Sequence, residues 1–370
     1  MLMPRDAGEL AEMLREARLP LSVRGGATRG MAGTGEALSV AALVGITRYE
    51  PGALTLVAAA GTPVAGIAAA LAAEGQRLAF EPMDHRALLG TQGEPTIGGV
   101  IAANVSGPRR VQAGAARDAL LGLTFVDGAG IVIRNGGRVM KNVTGYDLAR
   151  LVAGSRGALG VVAEVALKVL PAPETSATLT VAVADARGAV AALSAALGSP
   201  WEVTGASFWP GRGALLRIEG FGGSVRYRAE RLGELLGRFG SVETLTDAGA
   251  VATLWRQVRD VAPFHGRAGD VWRLSVRPSE APGIAGRLGT PDLLLDWGGG
   301  LIWALVPEGT DLRARLGPFA GHATIVRAAP DVKARLGVLH PEPPAVAALT
   351  RGLRARFDPR GILTPGAGAA

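Results

Sequence analysis

The chain contains no cysteine. Disulfides, a thiol nucleophile and cysteinyl ligation of an iron–sulfur cluster are therefore excluded within it. Lysine is nearly as scarce. Lys141, Lys168 and Lys333 are the only three, so almost all of the 39 basic residues are arginine. None of the three lysines follows a G-x-x-x-x-G, which removes a P-loop. No G-x-G-x-x-G follows a strand-like segment, so the Rossmann fingerprint is missing. H-E-x-x-H and G-x-S-x-G are both absent, and His85, His265, His322 and His340 stand in no metal-ligand spacing. No block of five or six like charges occurs, as a nucleic-acid-binding tail would show. The net charge of +7 over 370 residues is modest and favours anionic ligands.

Long apolar runs are also lacking, with one exception. Residues 51–73 carry no charge and are long enough to span a bilayer. Pro51-Gly52 and Gly61-Thr62-Pro63 break that run, and half of it is Ala and Gly. It reads as a strand over 54–60, then a helix over 63–74 capped by Thr62 with Pro63 in its first position. The first 21 residues, with Asp6, Glu9, Glu12 and Glu16, read as an amphipathic helix and not as a signal peptide. A cytoplasmic chain is expected.

What the chain does have is glycine, 54 of 370 residues, about twice the ordinary share. The glycines follow no three-residue period. Length predicts about two domains, and Pro171 and Pro173 mark the boundary. Strands are expected near 21–23, 38–40 and 54–60, a hairpin over 123–134, and a strand over 161–169. In the last of these, Val161, Ala163, Val165, Leu167 and Val169 face one way and Glu164 and Lys168 the other, which predicts a half-buried strand. Beyond the boundary, strands are expected over 177–184, 214–219, 271–276, 293–297 and 301–306, and helices over 186–197, 225–239 and 248–259. A helix over 345–357 follows. All six tryptophans, at 201, 209, 255, 272, 297 and 303, fall in the second part, which predicts two cores packed differently.

Three glycine segments are of the kind that approach a large anion. Arg24-Gly25-Gly26-Ala27-Thr28-Arg29-Gly30 follows a strand, and its successive N–H groups suit a pyrophosphate nest. Gly90 to Asn104 contains Thr96 as a cap and Gly98-Gly99 at a helix start, where N–H groups meet a phosphate. Gly154-Ser155-Arg156-Gly157-Ala158-Leu159-Gly160 precedes the alternating strand.

In this order the segments resemble the FAD-linked oxidase family, named also after vanillyl-alcohol oxidase, with its PCMH-type FAD-binding domain. The resemblance covers residues 19–171 and 357–366. The stretch 136–148, together with Ser106-Gly107-Pro108-Arg109-Arg110 and residues 274–276, is similar to the glycolate-oxidising branch of that family. The resemblance implies an α+β fold: a two-subdomain FAD-binding domain over 1–172, an α+β cap or substrate-type domain with an antiparallel sheet over 173–343, and a segment over 344–370 returning to the first domain. It implies that Arg24, Gly25, Gly26, Ala27, Thr28 and Arg29 hold the FAD pyrophosphate. Pro82, Gly90, Thr96, Gly98, Gly99, Asn104 and Ser106 line the path to the flavin, and Gly157, Gly160 and Val162 close the adenine end. Thr28 stands where covalent members carry His, which implies non-covalent FAD. Ala27 puts a methyl group where many relatives have a third glycine.

Catalytic relatives carry clustered histidines in the second domain, and this chain has no such cluster. Arg109, Arg110, Lys141 and Tyr146 remain as candidates to bind a substrate anion near the flavin. The resemblance implies a FAD-binding subunit in a complex that oxidises glycolate or another small 2-hydroxy acid. A related catalytic flavin subunit and an iron–sulfur subunit are the expected partners, with contact to the inner membrane only through them. Two other readings stand beside it: a self-sufficient FAD oxidoreductase for another small hydroxy acid or alcohol, and a non-catalytic subunit retaining the fold.

Overall fold

The computed structural model describes residues 1–30, 33–137 and 145–364. They divide into two units. The first holds Met1–Ser106, Gly114–Ala172 and the closing segment from Pro341; the second holds Gly107–Ala113 and Pro173–His340.

The first unit begins with the helix Ala7–Glu16. Asp6 caps it by accepting from the N–H groups of Gly8 and Glu9 at 2.7 and 2.9 Å. Leu10 and Leu14 lie one turn apart and pack in one cluster with Leu21, Val126 and Leu363. Burying each of these leucines stabilises the unit by about 2 kcal/mol. Strands β1 (Leu21–Arg24) and β2 (Glu36–Ser39) pair in parallel. A second, antiparallel sheet contains β3 (Ile46–Glu50), β4 (Thr55–Ala59), β5 (Gln76–Leu78), β6 (Leu120–Val126), β7 (Val132–Gly136) and β8 (Val161–Pro171), in the order β3-β4-β8-β6-β7 with β5 also on β8. The closing segment returns here. Leu21 donates to Ile362 O at 2.7 Å, and Asp358 accepts from the N–H groups of Ile362 and Leu363.

Two expectations change in this unit. Strand β8 is not half-buried. It pairs with β4 and β6 on its two edges, the helix Ile97–Ala102 packs on it, and Val162 and Ala166 are buried along with the predicted face. Glu164 and Lys168 stay half-exposed on the second face, which is therefore only partly polar. The helix Val64–Ala73 has Pro63, not Thr62, at its N-cap, without a side-chain cap. The Thr62 hydroxyl instead donates to Ala59 O at 2.7 Å and accepts from Gly45 N–H at 3.0 Å. It pins the strand end before the helix begins.

The second unit is built on one eight-stranded sheet. Its strands are β9 (Thr175–Val181), β10 (Gly205–Trp209), β11 (Gly213–Gly220), β12 (Val242–Leu245), β13 (Asp270–Val276), β14 (Leu293–Asp296), β15 (Leu301–Val306) and β16 (Gly321–Arg327). Their order is β12-β9-β11-β10-β14-β15-β13-β16, antiparallel throughout. Helices Ala186–Leu197 and Gly222–Leu236 lay Ala189, Leu193, Ala196, Val225, Leu232 and Leu236 onto it at helical spacing. Trp255, Trp272 and Trp303 are buried, and Trp255 Nε1 donates to Thr178 Oγ1 at 2.9 Å. Buried indole N–H groups usually find such a partner; that of Trp272 has none among the described residues.

Residues 107–113 fall in this second unit, which the Pro171 boundary does not foresee. Several contacts hold them there, two of them polar and centred on Arg109 and Gly107. Arg109 forms a buried ion pair with Glu219, and Trp297 Nε1 donates to Gly107 O at 3.0 Å.

Candidate functional site

Strand β1 delivers the chain into the loop Gly25–Gly30. That loop docks on residues 93–96. A Cβ at Gly25 would overlap Thr96 Oγ1, and one at Gly26 would overlap the Glu94 carbonyl, so both positions exclude a side chain. Thr91 Oγ1 donates to Thr28 O at 2.7 Å. Ala27 is held in the left-handed region at φ +53°. Among the described residues, no N–H group from Gly25 to Gly30 donates to any acceptor. A run of unused amides in one loop is a concavity for an anion.

The second glycine segment behaves differently from its expectation. Thr96 caps the helix Ile97–Ala102, accepting from Gly99 N–H. Ile97 and Gly98 donate to Thr62 O and Ala60 O at 3.0 and 2.8 Å. The first-turn amides thus serve the protein itself and are not offered to a phosphate. Gly98 is required because a Cβ there would lie 2.6 Å from that of Ala60 at the end of β4. The third segment meets the other end of the same helix. Gly154 donates to Ile101 O, and Arg156, at φ +57°, donates to Ala102 O at 2.7 Å.

These three segments enclose a cavity of about 250 Å³. Of the residues expected from the sequence, Arg24, Gly25, Gly26, Ala27, Thr28, Arg29, Thr96, Gly98, Gly99, Gly157, Gly160 and Val162 line it. Arg156, His85 and Met83 line it too and were not foreseen. The only hint of Arg156 in the sequence is that it is the sole charge between Gly154 and Gly160. No Asp or Glu is among the described residues that line the cavity.

The electrostatics follow from that lining. The side chains of Arg29 and Arg156 make no hydrogen bond or ion pair among the described residues. Burial first, and repulsion from Arg156 second, pull the Arg29 pKa down to about 10. Burial lowers Arg156 as well. At neutral pH Arg29 is still a cation. Arg24 Nε, on a lining residue, is buried with no partner, an arrangement that is costly in a dry protein interior. Cationic side chains, free amides and an orphaned polar atom without a counter-charge fit a phosphate-bearing ligand.

Four expected residues do not line the cavity. Asn104 Oδ1 accepts from Arg117 N–H at 3.0 Å, and Ser106 Oγ accepts from Ala116 N–H at 2.9 Å. Both shape the loop around residues 104–117. Gly90 ends a short helical turn at φ +65°. Pro82 precedes the lining residue Met83 but stays outside. The catalytic candidates also fall elsewhere. Arg109 is neutralised by Glu219 and fully buried, so it presents no charge to a substrate. Arg110 stacks on the Trp297 ring at 4.5 Å. Tyr146 is 87% exposed and lines no part of the cavity. Lys141 lies outside the described residues.

Comparison with known proteins agrees with this geometry. Residues 1–136 match the family model described as FAD binding domain. Glycolate oxidase subunit GlcE of Escherichia coli (strain K12) is 34% identical over 370 residues, covering 96% of this chain and 95% of the relative. Glycolate oxidase subunit GlcD of Bacillus subtilis (strain 168) is 35% identical over 184 residues, covering 48% of this chain and 38% of that one. Among solved structures, alkyldihydroxyacetonephosphate synthase aligns with a TM-score of 0.68 at 15% identity, over 98% of this chain and 76% of its own. That likeness carries the fold. A whole-length relative, a matching FAD-binding model and an anion cavity built from the expected loops agree, and the chain belongs to the FAD-linked oxidase family with a PCMH-type FAD-binding domain.

Proposed function

We propose that this chain is the FAD-binding subunit of a complex that oxidises glycolate, or a close 2-hydroxy acid, to the 2-oxo acid. The observation that carries this reading is the cavity of the first unit, with three arginines, unused loop amides and no carboxylate. When bound, FAD supplies the acceptor for the two electrons that leave the hydroxy acid. The chain's own residues do the holding. The Gly25–Gly30 amides donate to the diphosphate, and Arg24, Arg29 and Arg156 balance its charge. Thr28 lines the cavity where covalent relatives carry His, which supports non-covalent FAD.

The substrate class rests on the whole-length similarity to a glycolate oxidase subunit. Membership of a complex rests on two facts. Subunits of glycolate oxidase with two different names are similar to this chain, one over 96% of it and one over 48%. None of the described catalytic candidates lines the cavity. A related flavin subunit therefore carries the hydroxy-acid chemistry in this reading. With no cysteine in this chain, an iron–sulfur cluster resides on a further partner.

Purification from native extract, followed by anaerobic addition of glycolate, tests the reading. The flavin of the assembled complex should bleach, and that of the isolated chain should not. Bleaching by the isolated chain would make it self-sufficient, and a chain that co-purifies with nothing would end the complex reading.

A further inference from the structure

We propose that Arg29 and Arg156 form a two-cation clamp for a diphosphate, and that their mutual repulsion leaves the ligand-free chain less stable than its fold allows. The proposal rests on the flavin-dinucleotide reading above and adds which side chains set affinity and at what cost to the fold. The two arginines approach from opposite ends of one helix. Arg29 Nη2 lies 3.8 Å from where a Cβ on Gly99 would sit, in the first turn of Ile97–Ala102. Arg156 is fixed at the other end, where its N–H donates to Ala102 O. Both residues line the same cavity, and no described carboxylate lines it.

The fold does not need the Arg156 guanidinium. Its structural bond is made by the backbone amide, which any residue at φ +57° supplies. Its side chain is half-buried and meets no acceptor among the described residues, and its charge opposes that of Arg29. Like charges held together in a partly desolvated site repel. A diphosphate has oxygens on several sides and at least two negative charges. It accepts from both guanidiniums and from the Gly25–Gly30 amides together. Ligand binding then relieves a repulsion as well as adding contacts. The cavity volume of about 250 Å³ suits the diphosphate and its flanks more than a whole dinucleotide. An ADP moiety alone is therefore the minimal ligand, and riboflavin, without phosphate, lacks the group the clamp holds.

The test uses the full chain stripped of flavin, as wild type, Arg156→Gln, Arg156→Lys and Arg29→Gln. Two quantities are read: the thermal midpoint without ligand, and calorimetric affinity for FAD, ADP and riboflavin. Without ligand, Arg156→Gln should melt at or about 1–3 °C above wild type. It should bind FAD and ADP at least ~10-fold more weakly. Arg29→Gln should move both readouts the same way, and Arg156→Lys should recover most of the affinity. A lower midpoint with unchanged affinity would make Arg156 merely structural and overturn the clamp. So would equal losses in Arg156→Lys and Arg156→Gln, or riboflavin binding as tightly as FAD. Wild type that binds ADP but not FAD ends the flavin reading while leaving the clamp. Wild type and Arg156→Gln that bind FAD equally end the clamp while leaving the flavin reading.

Discussion

Arg109 and Glu219 form a buried, two-pronged ion pair across 110 residues of sequence, with Arg109 Nη2 2.6 Å from Glu219 Oε1. Arg217 Nε stands 3.7 Å from the same carboxylate. The pair anchors residues 107–113 in the second unit. Because one carboxylate serves two guanidiniums, its two halves are not equivalent. Glu219→Gln should cost about 3–5 kcal/mol, since it strands buried positive charge. Arg109→Met should cost less, because Glu219 keeps Arg217. Denaturant unfolding followed by tryptophan fluorescence reads this directly, as all six tryptophans lie between residues 201 and 303. Equal losses would show that the carboxylate is not shared.

His340 links the stability of the second unit to pH. Its ring packs edge-on against Phe319 at 5.6 Å, and Nδ1 accepts from Ala323 N–H at 3.4 Å, which requires a neutral imidazole. Burial, then the charge of Arg313, lowers its pKa. A lowered folded-state pKa means the folded protein binds this proton less tightly than the unfolded chain. The stabilisation is therefore present above the ordinary imidazole value of ~6.5 and is lost as pH falls through the lowered one. Thermal midpoints measured from pH 8 to 5 should fall less steeply in His340→Gln than in wild type. Parallel curves would remove His340 from the account.

Ala27 sits at φ +53° in a loop where the amides of Gly25 to Gly30 remain free. An L-residue in that region is strained by about 1–2 kcal/mol. Ala27→Gly should raise stability by about 1 kcal/mol or less, part of the relief being offset by glycine's greater freedom in the unfolded chain. Flavin content should be unchanged. A drop in flavin content would mean that the methyl group shapes the site.

The glycine loops are legible in the sequence as amide nests for an anion. The sequence does not show the second constraint on Gly26, whose missing Cβ makes room for Glu94 O. A substitution such as Gly26→Glu therefore breaks the docking of two protein segments before any phosphate is involved, and charge changes at Arg29 or Arg156 probe the ligand more cleanly. The role of Arg156 is not written in local pattern, because a left-handed turn far along the chain from Arg29 brings it to the same cavity. The placement of residues 107–113 is hidden for the same reason, their anchor being Glu219. Strand β8 carried its own warning. Val162 and Ala166, at positions assigned to the polar face, are apolar, and both are buried. Strand β12, Val242–Leu245, is a short edge strand with half-exposed ends and exposed centre, too polar to stand out.

The most direct test of the central claim is a titration of the full-length chain with FAD, followed by denaturation and filtration. Saturation at one FAD per chain is expected, all of it released to the filtrate, with at least ~10-fold weaker uptake by Arg29→Gln. No saturable uptake by wild type, flavin retained on the denatured chain, or unchanged uptake by Arg29→Gln would contradict it.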